Sequence, residues 1–392
     1  MTRTGRGRVF VIASEPRLIA RLLPTLAQAS SGVHVLEPRS NYLRRSKYVV
    51  GHTLLPDEPD VRHAILRSLV ERSLRPEDWV VCASDDVMWD IGDSDLPVEA
   101  KVRLLPIMRE HGLNAVTSKI GMAEALAQCG ARQRDFEVAV ALADLPAAAA
   151  RLGYPVIVKT NRGASGDGIA VLRAPEDNFA PRVTSLGPYL IERFVEGELM
   201  AVEALYLRGR LVAMAYSHCI ETAGAFGVSI VREYRELDDS VLKESLGKLG
   251  ESIGLDGFAN ISMIRCVDGT HAIFEVDVRP NAWHAYLPKL GLDLGAAVSS
   301  RLIQGAEPPS KAFAMVAVSG KSVRNLTRTI VYQGRIAGLF AVLKLSGMRI
   351  TFPYANFGDW RISLNEQRRL LAMTWRNDWK RIRRIGQFTL RQ

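Results

Sequence analysis

Residues 154–172 read YPVIVKTNRGASGDGIAVL, and this stretch decides the fold. The apolar run of Val156, Ile157 and Val158 ends in Lys159. A glycine-rich turn follows, with Gly163, Gly166 and Gly168, and a second apolar run occupies Ile169 to Leu172. Strand, glycine loop, strand is a β-hairpin whose loop can lie against a phosphate. Glycines let the backbone come close and turn N–H groups inward, and the lysine adds a positive charge beside them. The loop leads into a strand and not a helix, so neither the Walker loop nor the dinucleotide fingerprint describes it. Hairpins with glycine-rich turns are also common as plain structure. The flanking sequence has to decide between the two.

With 392 residues the chain exceeds one ordinary core, and two or three domains are expected. Hydrophobic content of 47% and charged content of 24% fit a globular protein with a water-facing surface. Cys82, Cys129, Cys219 and Cys266 stand far apart with no CxxC pair, which argues against a zinc site or a disulfide framework. A reducing, cytoplasmic compartment is the resulting expectation. The opening MTRTGRGRVFVIASEPR breaks its apolar run at Glu15 and Pro16, so it reads as a first strand and not a signal peptide. No apolar run is long enough to span a membrane.

The net charge of +9 is unevenly spread. Residues 321–392 carry 15 Lys+Arg against three acids (Asp359, Glu366, Asp378), a local +12, so the first 320 residues balance at −3. Basic character therefore belongs to the C-terminal segment, and a polyanion-binding surface over the whole molecule is excluded.

In chain order, residues 8–14 form a buried strand, Pro16 to Ala29 has helical apolar spacing, and Val33–Leu36 is the next strand. A helix over Ala64–Ser73 precedes the strand Trp79–Ala83, which ends in Ser84, Asp85 and Asp86. Alternating strands and helices imply a parallel α/β layer whose ligand edge lies at the strand carboxyl ends. Asp85 and Asp86 read equally as helix-capping acids and as substrate contacts. A helix follows over Ser118–Cys129, with Lys119 in its first turn, where the helix dipole disfavours a cation. That lysine is either solvated or held by another group. A short alanine-rich helix, Asp144 to Leu152, leads into the hairpin.

Beyond the hairpin, Pro188–Phe194 reads as a strand, and Glu198–Tyr206 with Arg210–Tyr216 as a meander turning at Arg208-Gly209. Leu237–Gly250 is a helix. Phe258–Cys266 and His271–Asp277 are strands joined by the hairpin turn 267–270. Glu275 and Asp277 lie two apart, on one face of their strand, beside Arg279. Paired carboxylates are costly unless a cation sits between them, and hard oxygen pairs suit Mg²⁺ on a nucleotide's phosphates. The alternative is a solvent-facing strand whose acids pair with arginines. The apolar neighbours Ile273, Phe274, Val276 and Val278 favour a buried strand and the metal.

These ordered pieces resemble the ATP-grasp superfamily over roughly residues 8–306. The resemblance implies an α/β and α+β fold: a pre-ATP-grasp α/β domain (1–115), a two-lobed ATP-grasp domain (116–308) and a basic C-terminal extension (309–392). SKIGMAEALAQCGAR looks like the helix that opens the grasp domain, with Lys119 as the lysine that reaches a nucleotide phosphate. YPVIVKTNRGASGDGI matches the strand–lysine–glycine loop. Lys159 would then contact α-phosphate and adenine, and the loop holding Gly163, Ser165, Gly166 and Gly168 would cover the β- and γ-phosphates. LIERFVEGELM resembles the inter-lobe segment, in which Glu192 would hold the adenine amino group, the backbone of Phe194 and Val195 would read the ring edge, and Glu198 would accept the ribose hydroxyls. IFEVDVRPN resembles the metal strand, with Glu275 bridging two Mg²⁺ ions (or Mn²⁺ in their place), Asp277 completing the second, and Arg279 steadying an acyl phosphate.

Two departures stand out. The family places an acid or glutamine about twelve residues before the Glu275 position, a slot that falls on Met263, and a thioether is a poor Mg²⁺ ligand. Asp277 stands where asparagine is typical.

The resemblance implies an enzyme, an ATP-dependent carboxylate–amine ligase. A carboxylate attacks the γ-phosphate, and an amine then displaces phosphate from the acyl phosphate to form an amide. Arg279 and Lys159 would be the catalytic groups, ATP and Mg²⁺ the cofactors, and small-molecule carboxylates and amines the substrates. Nothing marks a biotin site, and one grasp unit with a short tail argues against the duplicated carbamoyl-phosphate enzymes. His284 is expected to be packed or at the surface. The alternative reading is an ATP-binding regulatory or scaffold protein with lost or weak turnover.

EPPSK at 307–311 marks the start of the tail. Strand-like runs at 314–318, 329–332 and 336–345 precede a helix from about Asn365, where Leu371, Trp375, Trp379 and Ile382 recur near helical spacing among Arg376, Lys380, Arg381, Arg383 and Arg384. Three readings stay open: tryptophans packed on the body with solvated charges; an anionic membrane surface, with the protein peripheral to it; or arginines meeting an acidic substrate or partner. Nucleic acid is not expected, since no stacking platform accompanies the charge. A homodimer is compatible with all of these.

Overall fold

Strand β1 (Val9–Ile12) is buried on both faces, as a continuous VFVI run demands in the middle of a parallel sheet. The computed structural model describes residues 6–163, 168–177, 187–224, 226–237, 239–303, 321–325, 349–351 and 359. After β1, a single 3₁₀ turn at Pro16–Leu18 precedes α1 (Leu23–Ala29), so the helix expected from Pro16 is shorter and begins at Leu23. Pro24 sits in its first turn, where a missing N–H costs nothing.

Next come β2 (Val33–Pro38), β3 (Val49–Leu55), α2 (Pro59–Arg72), β4 (Trp79–Cys82) and α3 (Asp85–Asp93). The four strands form one parallel sheet in the order β3-β2-β1-β4. The expected α/β layer is present. β3 was not expected, because an edge strand with Val50, His52, Thr53 and Leu54 exposed carries no apolar pattern. Helices α4 (Val98–Leu104), α5 (Leu113–Thr117) and α6 (Lys119–Gln128) then lead out of this layer.

A second sheet follows. It takes in β5 (Phe136–Ala139), then, after α7 (Leu145–Leu152), β6 (Val156–Thr160), β7 (Ile169–Leu172) and β8 (Tyr189–Arg193). Its order is β5-β8-β6-β7, antiparallel throughout. The apolar face of α7 packs on it through Leu145, Ala148, Ala149 and Leu152.

The third sheet is the largest. β9 (Glu198–Leu207), β10 (Arg210–Thr222) and β11 (Ser229–Arg235) form a meander, with Arg208 and Gly209 both at positive φ in the tight turn between the first two. α8 (Ser240–Ile253) starts at the capping Asp239, whose carboxylate accepts from Leu242 N, and stops at Gly254 in the left-handed region. It therefore runs three residues later than expected at both ends. β12 (Gly257–Arg265) and β13 (His271–Asp277) complete one edge, and α9 (Leu294–Arg301) returns toward α1.

Beyond residue 308, β14 (Lys321–Asn325) pairs with β11, and β15 (Arg349–Thr351) pairs with β14. The third sheet thus reads β13-β12-β9-β10-β11-β14-β15. The boundary placed at 308/309, the three runs expected within 314–345, and the helix expected from Asn365 fall outside the described residues.

α8 packs Leu242, Leu246 and Leu249 against Met200, Val202 and Tyr206 on one face of this sheet. The other face meets the first layer. Trp79 stacks near Phe258 at 5.8 Å, and its Nε1 donates to the Asp256 carbonyl at 3.0 Å. Asp359 is buried against the first layer, where its Oδ2 accepts from Ser46 Oγ at 2.5 Å and Lys47 N at 3.0 Å. Among the described residues no helix is long and apolar enough to cross a membrane.

Candidate functional site

Lys159 leaves the end of β6 and turns inward, with only 4% of its side chain exposed. Its Nζ lies 2.7 Å from Glu192 Oε2 on the neighbouring β8 and donates to the Phe274 carbonyl of β13, also at 2.7 Å. One ammonium thus joins the second and third sheets. Burial lowers the Lys159 pKa, while the Glu192 and Glu275 charges oppose the shift.

The loop after β6 is anchored at both described ends. Gly168 has φ +72°, and a Cβ there would collide with the Thr160 hydroxyl, so glycine is required. Gly163 lines the cleft. Ser165 and Gly166 lie outside the described residues. Asn161, which the sequence reading passed over, clamps the loop to α6: its Oδ1 accepts from Ser118 Oγ at 2.9 Å and from Ile120 N at 3.0 Å. Ser118 is the expected cap, accepting from Gly121 N at 3.0 Å. The clamp sets Lys119 at the cleft, its Nζ 3.6 Å from Glu275 Oε1. That carboxylate is the group that holds a cation at an unfavourable helix start.

Glu275 and Asp277 share one face of β13, as expected. The register between β12 and β13 slips by one residue between Ser262 and Met263, leaving Phe274 without an opposite number. In consequence Ser262 stands across from Glu275, and Asn260 across from Asp277. Met263 faces Ile273 and is fully buried in the core packed under α8. Spacing alone put the metal-ligand slot on Met263; across the bulge it is Ser262, and not Met263, that stands opposite Glu275.

Arg279 donates through Nε to Asp85 Oδ2 at 2.7 Å and through Nη2 to Asp277 Oδ2 at 3.3 Å. Asp85 is a first-turn acid of α3, with Ser84 at the cap position, and through Arg279 it also ties the ligand edge of the first layer to β13. The capping position beside it is held by Ser84, whose Oγ accepts instead from Ser14 N and Glu15 N.

These pieces enclose one cleft. Asp85 and Trp89 line it from α3, Lys119 and Met122 from α6, Glu192 from β8, and residues 274–278 from and just beyond β13. Phe194, Val195 and Glu198 lie outside this wall. The Phe194 amide donates to the Pro155 carbonyl, and the exposed Glu198 carboxylate sits 3.4 Å from Arg265.

The charges couple across the cleft. Burial drives the Asp277 pKa up, with Glu275 and Asp85 adding to it against Arg279. Burial also pushes Glu275 up, but Lys119, Lys159 and Arg279 outweigh it and hold that carboxyl below its ordinary range. Among the described residues no ready-made cluster of three or more His, Cys, Asp or Glu side chains offers a metal cage.

Three further groups matter that the sequence reading did not single out. Arg134, just before β5, is buried with its Nη1 3.3 Å from Glu192 Oε2 and its guanidinium 4.5 Å from the Phe274 ring centre. Glu203 on β9 and Arg232 on β11 form a buried ion pair on the cleft-facing side of the third sheet, in the row of Asp277 and Asn260. Glu203 Oε2 has no hydrogen-bond partner among the described residues. No local motif marks these groups, because each pairs with a residue distant in the chain.

His284 is packed, as expected. Its Nε2 lies 3.2 Å from the carbonyls of both Ala204 and Ala259, and its Nδ1 accepts from Asn281 N, which requires the Nε2–H tautomer. Burial pushes its pKa down to about 3. The residue pins the PNAWH turn, and so Arg279, to the third sheet.

No family model matches the chain. Over 172 residues, 40% of its length, it is 27% identical to the arginine-specific large chain of mitochondrial carbamoyl phosphate synthase from Neurospora crassa, of which the match spans 15%. Solved structures superpose more broadly. An L-amino acid ligase from Bacillus licheniformis gives a TM-score of 0.60 at 17% identity, covering 81% of this chain and 79% of that one. The biotin carboxylase domain of 2-oxoglutarate carboxylase from Hydrogenobacter thermophilus, a dimer in complex with MgADP, ADP and bicarbonate, gives 0.59 at 15% identity, covering 78% and 71%.

Proposed function

From the ATP-grasp fold that these likenesses establish, we propose that the chain is an ATP-dependent ligase that activates a carboxylate as an acyl phosphate and passes it to an amine. The observation that carries this is one cleft lined by Lys119, Glu275 and Asp277, with Lys159 paired to Glu192 of its wall and Arg279 to Asp277.

The charge count explains what such a site needs. Lys119, Lys159, Arg134 and Arg279 face Glu192, Glu275, Asp277 and Asp85, four cations against four carboxylates. Fully ionised, the cluster is neutral, so a bare triphosphate would add uncompensated charge to a partly desolvated cleft. Nucleotide therefore enters with cations. Mg²⁺, when bound, would supply positive charge to offset that of the phosphoryl group in transfer. Glu275 and Asp277 would hold it, with Ser262 and Asn260 on the facing strand.

In this reading Lys119 and Lys159 orient the phosphates, with Gly163 at the cleft wall beside them. Arg279, steadied by Asp85, stabilises charge on the acyl phosphate. The buried Glu203 carboxylate, with one oxygen on Arg232 and the other unmatched, suits the ammonium of the incoming amine, which must lose a proton before attack. Glu192, the Phe194 and Val195 backbone and Glu198 are proposed to hold adenine and ribose once nucleotide is bound.

The test is ADP and phosphate release from Mg-ATP with a panel of carboxylates and amines, with Lys159→Ala as control. Release that needs a particular pair, and is lost in the control, is expected. Mg-ATP binding without release under any pair would sink the ligase and leave a binding protein.

A further inference from the structure

We infer that Arg134 is a positioning residue of the nucleotide site: it is the permanent counter-ion of Glu192 that leaves Lys159 free to turn toward phosphate. The inference rests on the nucleotide reading above and adds to it a residue outside the strand–lysine–loop and metal-strand motifs.

Both cations address the same oxygen. Lys159 Nζ lies 2.7 Å from Glu192 Oε2, and Arg134 Nη1 lies 3.3 Å from it. Their attachments differ. Arg134 lies over the Phe274 ring at 4.5 Å and its backbone N–H donates to the Ile273 carbonyl at 3.2 Å, so both ends are tied to β13, whereas the Lys159 ammonium lies 5.1 Å from the same ring and its backbone belongs to β6. Lys159 sits on a flexible stem with three donors, two of them used by Glu192 and the Phe274 carbonyl.

With both side chains buried, Lys159 alone could not leave Glu192 without stranding a bare carboxylate, a costly state. Arg134 removes that obstacle. The Glu192 charge stays matched while the lysine swings to the nucleotide, and the surplus positive charge of the trio then faces an anion. The Phe274 bulge contributes directly, since it offers its carbonyl to Lys159 and its ring to Arg134.

The experiment measures Mg-ATP affinity by titration for wild type, Arg134→Met, Arg134→Gln and Arg134→Lys, with a melting temperature for each to set unfolding apart. Loss of one charged hydrogen-bonding partner predicts binding weaker by about tenfold or more for Met and Gln, with Lys restoring most of it. Adding Glu192→Gln to Arg134→Met is expected to recover part of the loss, because a neutral amide no longer holds Lys159. A purely structural role would not give that rescue. Folded Met and Gln variants that bind as wild type does, or a double variant whose two losses simply add, overturn the assignment. Should both neutral variants fail to fold, Arg134→Lys decides: near wild-type affinity supports the counter-ion role, and a folded Lys variant as weak as Lys159→Ala overturns it. A wild-type chain that does not bind Mg-ATP overturns the nucleotide reading itself.

Discussion

Glu275 is the side chain on which most of the cleft's electrostatics converge, touched by Lys119 directly and by Lys159 and Arg279 at longer range. Glu275→Gln should cut phosphate release by about 100-fold with only a small fall in melting temperature, because the attraction of Lys119, Lys159 and Arg279 is lost while the repulsion that raises Asp277 is relieved. An equal loss of fold and activity would show the residue to be structural. His284 makes a different prediction. Its folded pKa lies at about 3, below the ordinary histidine value, so the unfolded chain takes up the proton first. The stabilisation is complete above the unfolded pKa and drains away as pH falls toward 3, amounting to roughly 3 kcal/mol lost by pH 4. Melting curves between pH 7 and pH 4 should fall more steeply for wild type than for His284→Gln, and parallel slopes would disprove it. Lys159, Glu275 and Asp277 were readable from sequence because strand periodicity and a neighbouring loop give each a local signature. Arg134, Asn161 and Glu203 were not, since each acts on a partner distant in the chain.

At the scale of elements, the hairpin of β6 and β7 depends on Gly168 holding a left-handed conformation against Thr160. Gly168→Ala should destabilise by about 1–2 kcal/mol and weaken Mg-ATP binding, whereas Gly247→Ala in α8, whose Cβ would meet nothing, should stabilise slightly. Thermal melts and nucleotide titrations of the two variants check both signs. The strands that sequence predicted are those with continuous apolar runs, such as β1, β4 and β6. β3 escaped because its exposed edge mixes Gly, His and Thr, and β11 because SIVREYR buries Arg232 where a strand pattern expects an apolar residue. A buried arginine matched by Glu203 reads, in one dimension, as surface.

For the molecule as a whole, the described residues of the C-terminal segment are docked. β14 extends the third sheet through β11, with Val323 fully buried and Arg324 2.7 Å from Glu221, and Asp359 is sunk against Ser46 and Lys47. Composition had set residues 309–392 apart by charge, and charge cannot reveal that one of the segment's three acids is buried. Asp359→Ala should therefore cost about 1–3 kcal/mol by leaving the Ser46 hydroxyl and Lys47 amide unmatched, seen as a melting temperature several degrees lower, while Glu71→Ala at an exposed position of α2 should change it less. Equal shifts for the two would mean that Asp359 contributes no more than a surface acid.

The slipped register between β12 and β13 has a consequence for how this site can change by mutation. Restoring an acid at the spacing-derived slot, Met263→Glu, would bury a charge in the core and should abolish folding, whereas Ser262→Glu would set a carboxylate across from Glu275 and should tighten Mg²⁺ binding. Loss of Phe274 itself would remove the bulge together with the carbonyl that accepts from Lys159 and the ring beside Arg134, so a deletion there should be tolerated far less than one in the exposed turn at 267–270.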